Sequence, residues 1–296
     1  SYTDTNGNTI TYGYDELGNI ITLTYPGGEV IRYTYYSSGR KKTVTDSQGR
    51  VTYYTYDGVG NVISIDRPDG TREENVYDEK SQLIERKDQR IEDGVIINEY
   101  HYTYDNAGNI ISSTGNDVVG IHKNLTDIKN VKMEYDEANR LIKYNGEEVK
   151  YDADGNMIYG PLDGKMVEYE YDCRNRLIRV GDTKYEYDAE NTLISKTTKE
   201  GTTTYVTDVN NSLSQVLESF SKDKSGKCYD KSNYIYGTGL LYENDKNSIG
   251  NIDNTMFYHY NNLGSTTKLT NESGEIVEKY TYGTYGELLS GDSLKT

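Results

Sequence analysis

Tyr104-Asp105-Asn106-Ala107-Gly108-Asn109 is one copy of a six-residue unit that recurs along most of the chain. Tyr14-Asp15-Glu16-Leu17-Gly18-Asn19, Tyr56-Asp57-Gly58-Val59-Gly60-Asn61 and Tyr151-Asp152-Ala153-Asp154-Gly155-Asn156 repeat it closely. Variants begin at Tyr35, Tyr77, Tyr135, Tyr171-Asp172 and Tyr187-Asp188. The leading tyrosines at 14, 35, 56 and 77 stand 21 residues apart, after which the spacing loosens to 27, 31, 16, 20 and 16. A fixed period of this kind points to a repeat architecture.

Each unit has a local physical reading. Before the turn the pattern alternates: Val167, Tyr169 and Tyr171 fall on one face, Glu168 and Glu170 on the other. A period of two with β-branched and aromatic residues is a half-buried strand. Asp occupies the second position in eight of nine units, with Tyr36 the exception. It suits the first corner of a type I turn, where its carboxylate accepts from backbone two residues on. The fifth position is Gly or Asn in eight of nine, Ser81 being the exception, and these residues tolerate positive φ. A type I turn followed by a left-handed residue is a three-residue hairpin loop with a bulge. An aliphatic pair then opens the next strand, as in Ile20-Ile21 and Leu141-Ile142. Each unit therefore reads as a β-hairpin, and single hairpins must pair with neighbours to be stable. The recurring tyrosines should then form a buried ladder.

Turns at Pro26-Gly27-Gly28, Pro68-Asp69-Gly70 and Leu162-Asp163-Gly164 join one hairpin to the next. Residues 86–99 read as one lengthened hairpin with Asp93-Gly94 at its tip, and residues 114–130 as a polar excursion. Residues 206–233 are irregular, with a short helix or an edge segment expected around Leu213 to Phe220. We divide the chain into a repeat array, 1–205, and a distinct end, 206–296.

Composition narrows the function. The chain has 296 residues, 32 of them Tyr, with two Phe and no Trp, which argues against disorder. A net charge of −16 disfavours nucleic acid and anionic membrane surfaces as partners. No run of 18 apolar residues exists to span a bilayer. The start at Ser1-Tyr2-Thr3-Asp4 has neither initiator Met nor leader, and reads as a mature or excised segment, any export signal having been lost upstream. Cys173 and Cys228 fit one bridge or two idle thiols equally.

The Tyr-Asp units resemble YD repeats, also called RHS repeats, of bacterial RHS proteins, insecticidal toxin-complex C components and teneurins. The stretch Phe257-Tyr258-His259-Tyr260-Asn261-Asn262-Leu263-Gly264-Ser265, with Thr270 to Val277 and Tyr280-Thr281-Tyr282-Gly283-Thr284-Tyr285-Gly286-Glu287, resembles the RHS repeat-associated core, with Asn261 in place of the usual Asp. Tyr234 to Leu241 resembles the stretch that precedes that core. The resemblance implies an all-β fold: stacked hairpins forming a spiralling sheet, part of a hollow shell around a C-terminal toxin cargo. Many relatives end in an aspartic self-cleavage site containing Asp-Pro. Here the prolines follow Tyr25, Arg67 and Gly160, so autoproteolysis is not carried over.

The residues themselves advertise no chemistry. His101, His122 and His259 lack a convergent partner set, and His259 reads as structural. Asp152 to Asn156 with Asp163 echoes a calcium loop, but Met157 stands where Gly is needed. No phosphate-binding glycine motif is present, and the sequons at Asn124, Asn210 and Asn271 mark surface loops. The expected function is therefore non-enzymatic and cofactor-free: a secreted or cell-surface polymorphic-toxin shell segment enclosing a toxin domain of the same polypeptide. A closed wall with a polar, acidic lining would keep an often basic toxin domain away from the host cell. Other shell components are possible partners. The alternative is a surface adhesion or glycan-binding module, and an enzyme is the weakest of the three readings. The residues expected to carry structure are the repeat Tyr, Asp and Gly named above and, in the core motif, Tyr258, His259, Leu263, Gly264, Ser265, Tyr282, Gly286 and Glu287.

Overall fold

A computed structural model describes residues 1–116, 131–210, 213–247, 250–282 and 288–291. Every regular element among them is a β-strand. The chain divides into two compact units, one of Ser1–Ile121 with Ser232–Thr296, the other of His122–Lys231.

In the first unit, eleven strands from Tyr2–Thr3 to Ile110–Gly115 lie side by side in sequence order. The strands Leu240–Lys246, Ile252–Tyr260, Thr266–Thr270 and Ile276–Lys279 again pair in order, all antiparallel. In the second unit, Met133–Tyr135, Leu141–Tyr144 and Glu147–Glu148 form a small sheet. The strands from Lys150–Tyr151 to Gln215–Asp223 follow one another in the same sequential manner. Sequential order throughout is what hairpin after hairpin produces.

The turns have the expected form. At Tyr14 the Asp15 N–H donates to the Asn19 carbonyl at 3.0 Å and the Gly18 N–H to the Asp15 carbonyl at 3.1 Å. Register steps from Gly13↔Thr22 to Tyr14↔Ile20, which is the bulge. The left-handed position carries φ of +83° at Gly18, +87° at Gly108 and +88° at Gly155. Asn139, Asn175, Asn191 and Ser81 adopt the same conformation at +57° to +71°. Asp93-Gly94 does turn the long hairpin between Leu83–Arg90 and Ile96–Tyr104.

Two expectations differ. Leu213 to Phe220 contains no helix among its described residues. Gln215–Asp223 is a strand paired with Gly201–Asp208 from Gly201↔Asp223 to Asp208↔Gln215. Its buried positions include Glu218, Ser219 and Ser221 beside Leu217, so no apolar alternation marks it. The tyrosines before the turns are not a fully buried ladder: Tyr14 is 54% exposed, and Tyr56, Tyr104, Tyr151, Tyr171 and Tyr187 are half-buried. The fully buried tyrosines are others, Tyr25, Tyr54, Tyr242 and Tyr258 among them. Of the two readings left open for the cysteines, the structure has the free thiols, with Cys173 on the surface. Of the polar excursion at 114–130, residues 117–130 lie outside the described residues, as do His122, Asn124, Gly286 and Glu287.

The core of the first unit lies between its two groups of strands. Pleating sends Ile31 and Tyr33 of Val30–Tyr35 inward and Arg32 and Thr34 outward. Ile10, Leu23, Val44, Tyr54 and Ile65 are buried likewise, as are Ile235, Leu241, Phe257 and Leu269 from the later strands. Tyr258, Met256, Leu269 and Tyr280 pack as one cluster, flanked by Leu240, Tyr260 and Tyr282.

Candidate functional site

Two devices are built from the repeat residues. The first closes each hairpin. Asp15 Oδ1 accepts from the backbone N–H of Leu17 at 3.0 Å and of Asn19 at 2.8 Å, while Oδ2 accepts from the Asn19 side chain at 2.9 Å. Asp57, Asp105 and Asp152 make the same set with Asn61, Asn109 and Asn156. Arg140 and Arg176 replace the Asn and add charge to Asp136 and Asp172. The side-chain bond from Asn19 holds the Asp15 carboxyl below its ordinary range, and that from Arg176 lowers Asp172 to about 2. The sixth position of the unit is thus a working part that the sequence reading missed. Its signal was present: Asn or Arg fills it in seven of the nine units.

The second device ties one hairpin to the next. The hydroxyl of Tyr35 donates to the Ile20 carbonyl at 2.7 Å, that of Tyr77 to Val62 at 3.1 Å and that of Tyr104 to Leu83 at 2.6 Å. In the second unit Tyr151 reaches Leu141 at 2.8 Å and Tyr187 reaches Leu177 at 3.0 Å. Each acceptor is the first residue after the preceding turn. Burial raises the phenols of Tyr35, Tyr77, Tyr104 and Tyr187, so the donating proton stays in place. Phe cannot make this bond, which favours Tyr over Phe at these positions.

The core motif proves to be a further unit of the same design. Tyr260 donates to the Leu240 carbonyl at 2.8 Å, and Tyr282 to Thr266 at 2.8 Å. Asn261 Oδ1 accepts from the N–H of Leu263 at 2.9 Å and of Ser265 at 3.0 Å, the part Asp plays elsewhere. Gly264 sits at φ +78°, and Leu263 is 81% exposed at the turn tip.

His259 leads from this unit into a buried polar seam. Its Nε2 lies 2.9 Å from Thr270 Oγ1 and its Nδ1 3.2 Å from an Asp88 carboxylate oxygen. Thr270 Oγ1 in turn donates to Asp69 at 2.6 Å. Arg67 bridges Asp88 at 3.0 Å and Glu73 at 2.9 Å, and Asn98 donates to Thr267 at 3.0 Å. Burial opposes ionisation of Asp88, but His259 and Arg67 outweigh it and hold the carboxyl far below its ordinary range. Carboxylate, imidazole and hydroxyl in this order have the makings of a nucleophile and its base. However, His259, Asp88 and Thr270 are all wholly buried, and Asp69 already holds the hydroxyl proton. The arrangement binds strands together and offers no approach to a substrate.

More cross-bonds follow the same line within this unit. Tyr25 donates to the Tyr234 carbonyl and Lys41 to that of Gly237, each at 2.5 Å. Arg50 reaches Asp46 at 2.8 Å and Asn244 at 2.6 Å, and Arg86 reaches the Asn261 carbonyl at 2.9 Å. Among the described residues no group of three or more His, Cys, Asp or Glu side chains is placed to hold a metal ion. Asp152, from the loop with a calcium echo, is engaged by its own turn. No helix of the described residues is long and apolar enough to cross a membrane.

A family model for the Teneurin YD-shell matches residues 71–293, well over half of the chain. The chain belongs to the Teneurin YD-shell family. The RHS Repeat family model matches residues 1–30 and 31–72 ahead of it. Solved structures agree on the fold of this YD-shell chain. The complex TcdB2-TccC3-Cdc42 matches with a TM-score of 0.58 at 14% identity, over 96% of this chain and 18% of that one. TcdB2-TccC3-TEV gives 0.54 at 14% identity with the same coverage, 96% and 18%. The Photorhabdus luminescens Tc holotoxin pore carrying a TccC3 mutation gives 0.51 at 14% identity, over 95% and 18%. The YD-shell chain therefore spans less than a fifth of the length of these structures. No curated protein matches it.

Proposed function

We propose that this chain is a non-enzymatic wall segment of a secreted or cell-surface toxin shell, enclosing a C-terminal toxin domain that follows it in the same polypeptide. Residues 1–205 supply the repeat array and 206–296 the core-associated end. The observation that carries this reading is the tyrosine tie. At Tyr35, Tyr77, Tyr104, Tyr151, Tyr187, Tyr260 and Tyr282 it joins a hairpin to its predecessor with one bond of constant placement, so the sheet can extend by adding hairpins. Such a wall needs no cleft and no reacting group. Buried carboxylates of the first unit are paired with cations: Asp88 with Arg67, Asp46 with Arg50 and Glu29 with Lys246. Containment in this reading rests on steric enclosure rather than on attraction of a basic cargo.

Limited proteolysis of the complete gene product tests it. The region beyond Thr296 should stay uncut while the protein is native and become cut once urea opens the wall. Cleavage of that region in the native protein, or a gene product with no further domain, would contradict containment.

A further inference from the structure

The first unit contains a cavity of about 390 Å³ separate from the seam at His259. Its size lies within the range of roughly 300–1,000 Å³ usual for small-molecule sites. The mouth is formed by two exposed hairpin turns, one contributing Ser47 and Gln48, the other Gly250 and Asn251. The floor is buried. It carries Asn233 at 2% exposure, Asn244 at 4% and Lys246 at 7%, over the aliphatic side chains of Ile31 and Ile235. Lys246 forms an ion pair with Glu29, also in the lining.

The chemistry of this lining selects its ligand. Four carboxamides, from Gln48, Asn233, Asn244 and Asn251, line one space, and a carboxamide carries both donors and an acceptor; Asn244 Oδ1 already accepts from Arg50 and Thr255, which leaves its amide donors to the space. Hydroxyl groups, which donate and accept at once, match such a set. Charges do not: Glu29 and Lys246 neutralise one another. Arg50, which touches Asn244 at 2.6 Å, is neutralised by Asp46 at 2.8 Å. An ionic ligand would enter without a counter-charge, and burying an unpaired charge is costly. The lining contains no aromatic ring, so hydrogen bonds and the isoleucine floor must do the holding rather than stacking.

From this geometry we infer that the cavity between the turns at Ser47-Gln48 and Gly250-Asn251 is a binding site for a neutral, polyhydroxylated ligand of mono- or disaccharide size. The site does not depend on containment, since a wall segment can present it on its own surface.

Isothermal titration of the full chain with N-acetylglucosamine and with lactose tests the site, with inorganic phosphate and L-glutamate as charged probes. At least one sugar should bind saturably and the charged probes should not. The double variant Gln48→Ala/Asn251→Ala changes only exposed side chains, so its urea midpoint should match the parent while sugar affinity falls at least tenfold. Ser47→Trp, which fills the mouth, should abolish binding in the same way. Absence of saturable binding by both sugars, binding of phosphate or glutamate in their place, or sugar binding untouched by these substitutions would overturn the assignment.

Discussion

The hydroxyl of Tyr35 donates to the carbonyl of Ile20 at 2.7 Å, joining two successive hairpins beyond the last registered pair between their strands, Thr22 with Arg32. Strands fray where their ladder ends, and an exposed carbonyl there would invite water or another chain. The phenol closes that gap from a half-buried position, its hydroxyl reaching the backbone.

Removing that hydroxyl isolates its contribution. Tyr35→Phe, Tyr104→Phe and Tyr187→Phe should each lower unfolding stability by about 1 kcal/mol, the usual net value of one such bond. Tyr53→Phe, whose ring is 51% exposed, is the control and should be neutral. Urea unfolding midpoints give the comparison.

The left-handed turn position discriminates between side chains on backbone grounds alone. A Cβ at Gly155 would meet nothing within 4 Å, so Gly155→Val should cost roughly 1–3 kcal/mol from strain only. Gly155→Asn should cost clearly less, because Asn175 and Asn191 already adopt φ of +57° and +71° in equivalent turns. Thermal melts of the two variants should rank in that order.

Acid should loosen the turns. Side-chain bonds from Asn19, Asn109, Asn156 and Arg176 hold Asp15, Asp105, Asp152 and Asp172 below 3.8, Asp172 at about 2. A carboxyl depressed in the folded state contributes stability fully above its unfolded pKa and loses it as pH falls through the folded value. The urea midpoint should therefore be flat from pH 7 to 5 and drop between about pH 4 and pH 2. Asp105→Asn and Asp172→Asn should both lower the plateau and shallow that drop.

The buried seam responds differently. Asp88→Asn leaves Arg67 and His259 facing a neutral amide in a dry interior. It should cost about 3–5 kcal/mol, the range for breaking a buried pair from one side. Arg67→Met combined with Asp88→Leu should cost much less than the two single substitutions together. A double-mutant cycle on urea midpoints measures the coupling.

These particulars show what was readable in advance. The hairpins were legible because Tyr, Asp and Gly of each unit act within six residues of one another. The tie from Tyr35 to Ile20 was not, since its acceptor is a backbone carbonyl and carbonyls leave no mark on sequence. The seam at His259 joins groups up to 201 residues apart, Asp69 with Thr270 being the longest step, and no periodicity records such distances. Gln215–Asp223 escaped because it is buried on both faces and most of its buried side chains are polar, Glu218, Ser219 and Ser221 included. The cavity floor was hidden for the same reason, as Asn233 and Asn244 read like surface residues until two strands place them side by side.

The wall-segment reading proposed above has a direct test in solution. Small-angle scattering from the monodisperse protein addresses it directly. A compact chain of 296 residues has a radius of gyration of about 19 Å. The account predicts a clearly larger radius, with the pair-distance curve of a curved wall. A radius near 19 Å with the symmetric curve of a solid globule would contradict it.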